Sequence, residues 1–206
     1  MAITAADVNK LRKQTGAGMM DCKNALVETD GDFEAAVDVL RKKGQKVAAK
    51  RGENEAKEGV VFAQATEDGK TGVVLALNCE TDFVAKNDDF RNFVQSLLDV
   101  AIAKLPSSTE DLLNQQYNEK LTVNEKITEQ VGVVGEKLDL SGFEIIKAEK
   151  VVAYNHPGNQ LATLVGLNSG SDVADDAGKQ VAMQVAAMNP LSLNKEGIDA
   201  DTIARE

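Results

Sequence analysis

Asn78-Cys79-Glu80-Thr81-Asp82-Phe83-Val84-Ala85-Lys86-Asn87 lies between two contrasting patterns. Before it runs Gly72-Val73-Val74-Leu75-Ala76-Leu77, a continuous apolar stretch of strand length. After it, Phe90, Phe93, Val94, Leu97, Leu98 and Ala101 recur at helical spacing. The stretch is therefore expected at the rim of a sheet, where a strand hands over to a helix. Thr81 is placed to cap a turn begun by Asp82-Phe83-Val84. That turn displays Phe83 beside a carboxylate, off the register of the following helix. Phe83 then has two readings: a loop aromatic folded under its own helix, or an anchor for a partner's pocket.

Working outward, 206 residues allow one large or two small domains. Apolar residues make up 43%, but Trp is absent and aromatics are only 4%, so the cores must be built from Val, Leu, Ile and Ala. No N-terminal apolar run resembles a signal peptide, and no run of eighteen apolar residues is present. Cys22 and Cys79 lack any framework spacing, so a cytoplasmic protein with reduced thiols is expected. The net charge of −10 is concentrated after residue 52, which disfavours general binding to a phosphate backbone. The basic run Arg41, Lys42, Lys43, Lys46, Lys50, Arg51 is the exception and reads as a solvated linker helix.

The first fifty residues read as three short helices. Thr4 and Asp7 form a capping box for the first, and Gly16-Ala17-Gly18 breaks it. The second begins near Met19, and one of Met19 and Met20 is expected in the core, the other as an exposed contact. Gly31 ends the second, Asp32 caps the third, and Phe33, Ala36, Val37 and Leu40 form its face until Gly44. Residues 45–57 read as a basic linker. A hairpin follows, turning at Asp68-Gly69-Lys70, then helices over 88–104, 108–118 and 122–132. A strand from Phe143 to Tyr154 turns at His156-Pro157-Gly158-Asn159 into Leu161–Leu167. A last helix over 173–188 is expected to face inward through Val173, Ala177, Val181, Val185 and Met188.

The chain also repeats itself. Strand, turn, strand ending Leu77-Asn78, corner, helix and Pro106 recur as strand, turn, strand ending Leu167-Asn168, corner, helix and Pro190. The second corner, Ser169-Gly170-Ser171-Asp172-Val173, has no Phe, so Phe83 is not required to build such a unit. Catalytic constellations are missing: one histidine, two distant cysteines, no zinc-ligand spacing and no GxxxxGKS/T or GxGxxG loop. His156 has no orienting partner in sequence and reads by itself as a polar turn residue. These residues argue for a non-enzymatic binding protein with no cofactor.

Two stretches carry a resemblance. Leu11-Arg12-Lys13-Gln14-Thr15-Gly16-Ala17-Gly18-Met19-Met20-Asp21-Cys22-Lys23-Asn24-Ala25-Leu26 and Asn78-Cys79-Glu80-Thr81-Asp82-Phe83-Val84-Ala85-Lys86 resemble the two signatures of the bacterial elongation factor Ts family. The resemblance covers the whole chain. It implies an α+β protein: a ubiquitin-associated-like three-helix domain over 1–44, a linker over 45–57, and a core of two related α+β subdomains, 58–140 and 141–206, each an antiparallel sheet with helices. It implies a guanine-nucleotide exchange factor for elongation factor Tu. Thr81, Asp82, Phe83 and Val84 would form the corner that Asp82 and Phe83 drive between helices of the GTPase domain, disturbing the groups that hold Mg²⁺. Val134 and Gly135 would contact the same domain, and His156 would press near its phosphate-binding loop. Arg12, Met19 and Met20 would grip a separate helix. The alternative is an adaptor acting through the three-helix domain alone. Two departures stand out. Pro157-Gly158-Asn159-Gln160 follow His156 where the family commonly has Gly and then a basic residue. Asp199 or Asp201 is expected to cap a helix through Ile203, close to Glu206, where many members continue into a helical-hairpin arm and some are short; a fragment or a natural short form is expected.

Overall fold

Local capping sets the first three helices. The computed structural model describes residues 3–205; Met1, Ala2 and Glu206, which the expected domain bounds include, lie outside the described residues. Helix α1 (Ala5–Thr15) starts at Thr4, whose hydroxyl accepts from the Asp7 amide while Asp7 returns a bond to the Thr4 amide. Two of the orphan donors of the first turn are thereby satisfied within four residues of sequence. Helix α2 (Met19–Glu28) follows the glycine turn, and Asp32 caps α3 (Phe33–Arg51) through the Ala35 amide at 3.1 Å. Val8, Leu11, Ala17, Cys22, Ala25, Leu26 and Ala36 form the core between them.

Helix α3 does not stop at Gly44 but continues to Arg51. Gly44 is instead the crossing point with α7 (Val123–Val134). A Cβ on Gly44 would lie 2.9 Å from the Thr128 carbonyl, and one on Gly132 would lie 2.7 Å from Gly44 Cα. The two backbones approach as closely as they do because neither residue has a side chain. Glycine here serves packing, and nineteen residues of continuous hydrogen bonding carry the helix through it.

The chain divides into two units, one holding the residues up to Val60 with Leu75–Glu144, the other Val61–Val74 with the residues from Ile145. Strands β1 (Glu58–Ala65), β2 (Thr71–Cys79) and β3 (Asp139–Lys147) form a sheet in that order. In the first unit, β2 leads through α4 (Asp82–Ala85) into α5 (Asp88–Lys104), which buries Phe90, Phe93, Val94, Leu97, Leu98 and Ala101 as the spacing predicts. Helix α6 (Thr109–Asn114) is shorter than its expected 108–118, because Gln116 turns out to bridge Thr122. The expected strand over 143–154 is two strands in different sheets. The chain breaks after Lys147, and the amides of Ala148 and Val151 bond the Lys70 and Gly69 carbonyls instead.

In the second unit β4 (Lys150–Asn155) pairs antiparallel with β5 (Ala162–Leu167), with Val152 opposite Val165, and α8 (Asp172–Met188) packs on both. The inward face of α8 is not the expected one: Val173, Val181 and Met188 are exposed, while Ala174, Gly178 and Ala182 are buried. A Cβ on Gly178 would meet Val152 at 2.6 Å, so small residues let the helix lie close to the two-stranded sheet. The repeat is visible in the way both long helices end. Leu105 and Asn189 adopt left-handed backbones, bond back to Ala101 and Val185, and are followed by Pro106 and Pro190. The fold is α+β, and helix α9 (Ala200–Arg205) is capped by Asp199 through the Thr202 amide.

Two outcomes follow from this packing. Ala in place of Gly132 should lower stability by about 1–3 kcal/mol, as overpacking does, although Ala is intrinsically the better helix former. A raised thermal midpoint would overturn the close crossing. Cys79 is fully buried, and burial first, then the charge of Glu136, pushes its thiol from 9.0 up to about 11. The unfolded value is the lower one, so this group's stabilisation is intact below pH 9 and lost as pH rises toward 11. Relative to Cys79→Ala, urea unfolding should show a loss of about 2 kcal/mol across that window. Parallel profiles for parent and variant would contradict it.

Candidate partner-binding site

The corner is a single helical turn held from all sides. Thr81 is extended and occupies the N-cap position of α4, and Lys86 and Asn87 bond back to Asp82 and Val84 at 2.9 and 3.0 Å. Ala85 is buried beneath the turn. Two residues away along a helix is the opposite side, and Phe83 there is 82% exposed. The reading of Phe83 as folded under its own helix is therefore ruled out. The carbonyls of the turn are also occupied, that of Thr81 by the Cys79 thiol at 3.2 Å and that of Ala85 by Arg91 Nε at 3.3 Å. Asp82 pairs with Lys86 at 2.6 Å, and that hydrogen bond holds its carboxyl below the usual carboxylate range.

Thr81 does not cap the turn with its side chain. Its hydroxyl donates instead to Glu136 Oε1 at 2.7 Å. Glu136 Oε2 accepts from the Glu80 and Thr81 amides at 3.1 and 3.0 Å. Glu80 answers in kind, accepting from the Lys137 amide at 2.6 Å, from Arg51 Nη1 at 2.8 Å and from Asn54 Nδ2 at 3.0 Å. The Lys137 amide, then Asn54 and Arg51, hold the Glu80 carboxyl below its ordinary value. The Lys137 ammonium completes the set by donating to the Gly52 and Asn54 carbonyls at 2.9 Å. Sequence reasoning gave none of Glu80, Glu136, Lys137 or Arg51 a part in this network, since nothing local pairs segments 26 to 85 residues apart.

The other expected residues of this unit surround the same network or its flank. Gly135 ends α7 in a left-handed conformation, its amide bonding Val131 at 2.8 Å, with open space where a side chain would project. Val134 before it is half-buried. Val133 packs against Gly16, 3.7 Å from where a Cβ there would sit, which brings the end of α7 to the turn between α1 and α2. Arg12 is exposed in the last turn of α1. Met19 and Met20 are 54% and 62% exposed, so neither fills the core and both are available as contacts.

His156 lies in the second unit, exposed on the turn between β4 and β5. Its Nδ1 is 2.9 Å from the Tyr154 hydroxyl, with the rings edge to face. Between them Asn155 uses its side-chain amide as a strand would, accepting from the Ala63 amide and donating to its carbonyl at 2.8 Å. Sequence reasoning did not identify Tyr154 and Asn155, both just before the turn, as its supports. Among the described residues no helix is long and apolar enough to cross a membrane. None of their His, Cys, Asp and Glu side chains form a group of three or more that could hold a metal ion.

The family profile described as Elongation factor TS matches residues 80–206. Curated proteins called Elongation factor Ts align over nearly the whole chain. That of Christiangramia forsetii is 52% identical over 204 residues, covering 99% of this chain and 73% of its own length. That of Flavobacterium psychrophilum is 52% identical over 205 residues, with the same shares. That of Bacteroides fragilis is 45% identical over 207 residues, covering all of this chain and 61% of its own length. Together with an α+β fold that opens on three helices and displays an aromatic corner at residue 83, these matches show that the chain belongs to the elongation factor Ts family.

Proposed function

We propose that this member of a translation elongation factor family is a guanine-nucleotide exchange factor, which binds elongation factor Tu, promotes release of GDP and Mg²⁺ and leaves a site that GTP reloads. The observation that carries this reading is Phe83, 82% exposed on a turn whose every neighbour is tied down. An exposed aromatic on a fixed scaffold suits insertion into a partner's pocket, and such anchors dominate interface energies. Exchange needs no nucleophile. A protein that binds the nucleotide-free partner more tightly must weaken GDP by the same factor, because coupling between two ligands is reciprocal.

In this scheme Asp82, Phe83 and Val84 form the inserted face, and Thr81 anchors it from behind. Val134 and Gly135 offer a second contact to the GTPase domain. His156 supplies a third, from a turn set by Tyr154 and Asn155. Arg12, Met19 and Met20 provide the separate grip of the three-helix domain (residues 1–44), joined by 45–57 to core subdomains 58–140 and 141–206. The protein acts in the cytoplasm, without a cofactor, membrane or nucleic acid. The exposure of both Met19 and Met20 also favours a second reading, an adaptor working through the three-helix domain alone.

Release of a fluorescent GDP analogue from elongation factor Tu separates the two. The parent should accelerate release strongly, and Phe83→Ala should lose about tenfold or more of that effect, on the scale of ~2–4 kcal/mol for a buried aromatic anchor. Its thermal midpoint should stay near the parent's, since the ring contributes little burial. Binding that depends on Met19 and Met20 but not on Phe83, without acceleration, would favour the adaptor.

A further inference from the structure

Phe83 gains almost nothing from packing, so its position is set by the backbone beneath it. That backbone is a helix of four residues, far below the length at which a helix holds itself together in water. Its geometry therefore depends on what grips its ends. The exit is fixed by Asn87, which caps α5 through the Asp89 amide at 2.7 Å, and the middle by buried Ala85. The entry is held by Glu136, which takes both amides of Glu80 and Thr81 and the Thr81 hydroxyl, beside the Cys79 thiol on the Thr81 carbonyl.

We infer that Glu136 is a positioning residue for exchange: it holds the entry of the Phe83 turn and, with Glu80, locks that turn to the Gly135 loop and the end of α3 as one body. This rests on the exchange reading above and adds a component to it. Two observations favour positioning over simple stabilisation. The exchange of carboxylates is reciprocal, since Glu136 serves the backbone of 80–81 while Glu80 serves that of 137. It also sets two acidic side chains in adjoining segments with a single ion pair, Arg51 to Glu80, while the Lys137 ammonium goes to backbone carbonyls. Exposed ion pairs contribute little stability, whereas Glu136 Oε2 and Glu80 Oε1 accept from backbone amides, whose directions are fixed, and so set geometry.

The consequence reaches beyond the corner. Arg51 and the carbonyls of Gly52 and Asn54 belong to the end of α3, the helix that begins in the three-helix module. The grip of Arg12, Met19 and Met20 and the thrust of Phe83 are thus set on one framework whose joint is Glu80 and Glu136. Binding energy gained at the module reaches the corner as orientation only while that joint is closed.

The test combines a double-mutant cycle in GDP release with amide hydrogen exchange of the free protein. Glu136→Ala should lower the maximal release rate by about fivefold or more, and Glu136→Gln, which keeps an acceptor oxygen, should fall nearer the parent. In the Phe83→Ala background the same substitution should change the rate by less than about twofold, the coupling expected of residues acting as a unit. Equal losses in both backgrounds, or no loss in either, would overturn the inference. In the free protein, the Glu80 and Thr81 amides should exchange about tenfold faster in Glu136→Ala while the α5 amides keep their protection. Unchanged protection at 80 and 81 would sink the positioning role by itself. Should Glu136→Ala melt the whole domain, Thr81→Val removes only the hydroxyl bond and should give a smaller loss in the same direction. A parent that fails to accelerate release would refute the exchange reading, and the amide measurement would still decide whether Glu136 holds the turn.

Discussion

The crossing of α3 and α7 at Gly44 and Gly132 is the constraint on which the first unit is built. Two helices that meet without side chains at the contact are held at a distance no other pair of residues permits. Because α3 passes through that point unbroken, its last turn carries Arg51 out of the three-helix module to Glu80. Because α7 is pressed against it there, the end of α7 delivers Gly135 and Glu136 to the same place. A bulkier residue at either glycine would displace both ends of this arrangement, although neither glycine touches the corner.

What gathers at those ends is polar rather than apolar, and its chemistry explains why the corner keeps its form at the surface. Surface ion pairs contribute little by themselves. Carboxylates that accept several fixed amide hydrogens are different, since the charge-assisted bonds are directional and the donors are already ordered. Glu80 shows the effect in its lowered pKa, led by the Lys137 amide. A group of that kind contributes above its unfolded pKa and loses the contribution as pH falls through the folded one, so acid opens this joint by protonating it.

Legibility in the sequence tracked the range of the interaction. The capping box at Thr4, the Asp32 cap and the buried face of α5 are set within a few residues, and their patterns are visible as text. So is the corner at 78–87, whose place between strand and helix follows from a change of period. Gly44 was misread because a helix stop and a helix crossing use the same residue, and only the partner Gly132 tells them apart. The face of α8 was misread for a related reason: the hydropathy of Val173, Val181 and Met188 outweighs that of Ala174 and Gly178, but the close approach of the helix to the two-stranded sheet accepts only the smaller side. Glu136 lay wholly out of reach. Its partners are 55 and 56 residues away, and a lone Glu after a glycine carries no pattern.

The repeat gives the last step. Both halves run strand, strand, corner and helix, and both helices end in a left-handed residue before proline. A corner of this fold can therefore be closed cheaply, as Ser169-Gly170-Ser171 closes the second one, with no helical turn and no aromatic. The first corner spends four helical residues and two buried-edge carboxylates to hold one ring in solvent. An exposed ring lowers solubility and adds nothing to the core, and the polar joint behind it lies at the surface, away from the apolar core. The two features make sense together and not apart. A ring meant to enter a partner must arrive already oriented, or the binding free energy is consumed in ordering it. The difference between the two corners, more than the exposure of Phe83 alone, favours the proposed role of the first as the face that meets a partner.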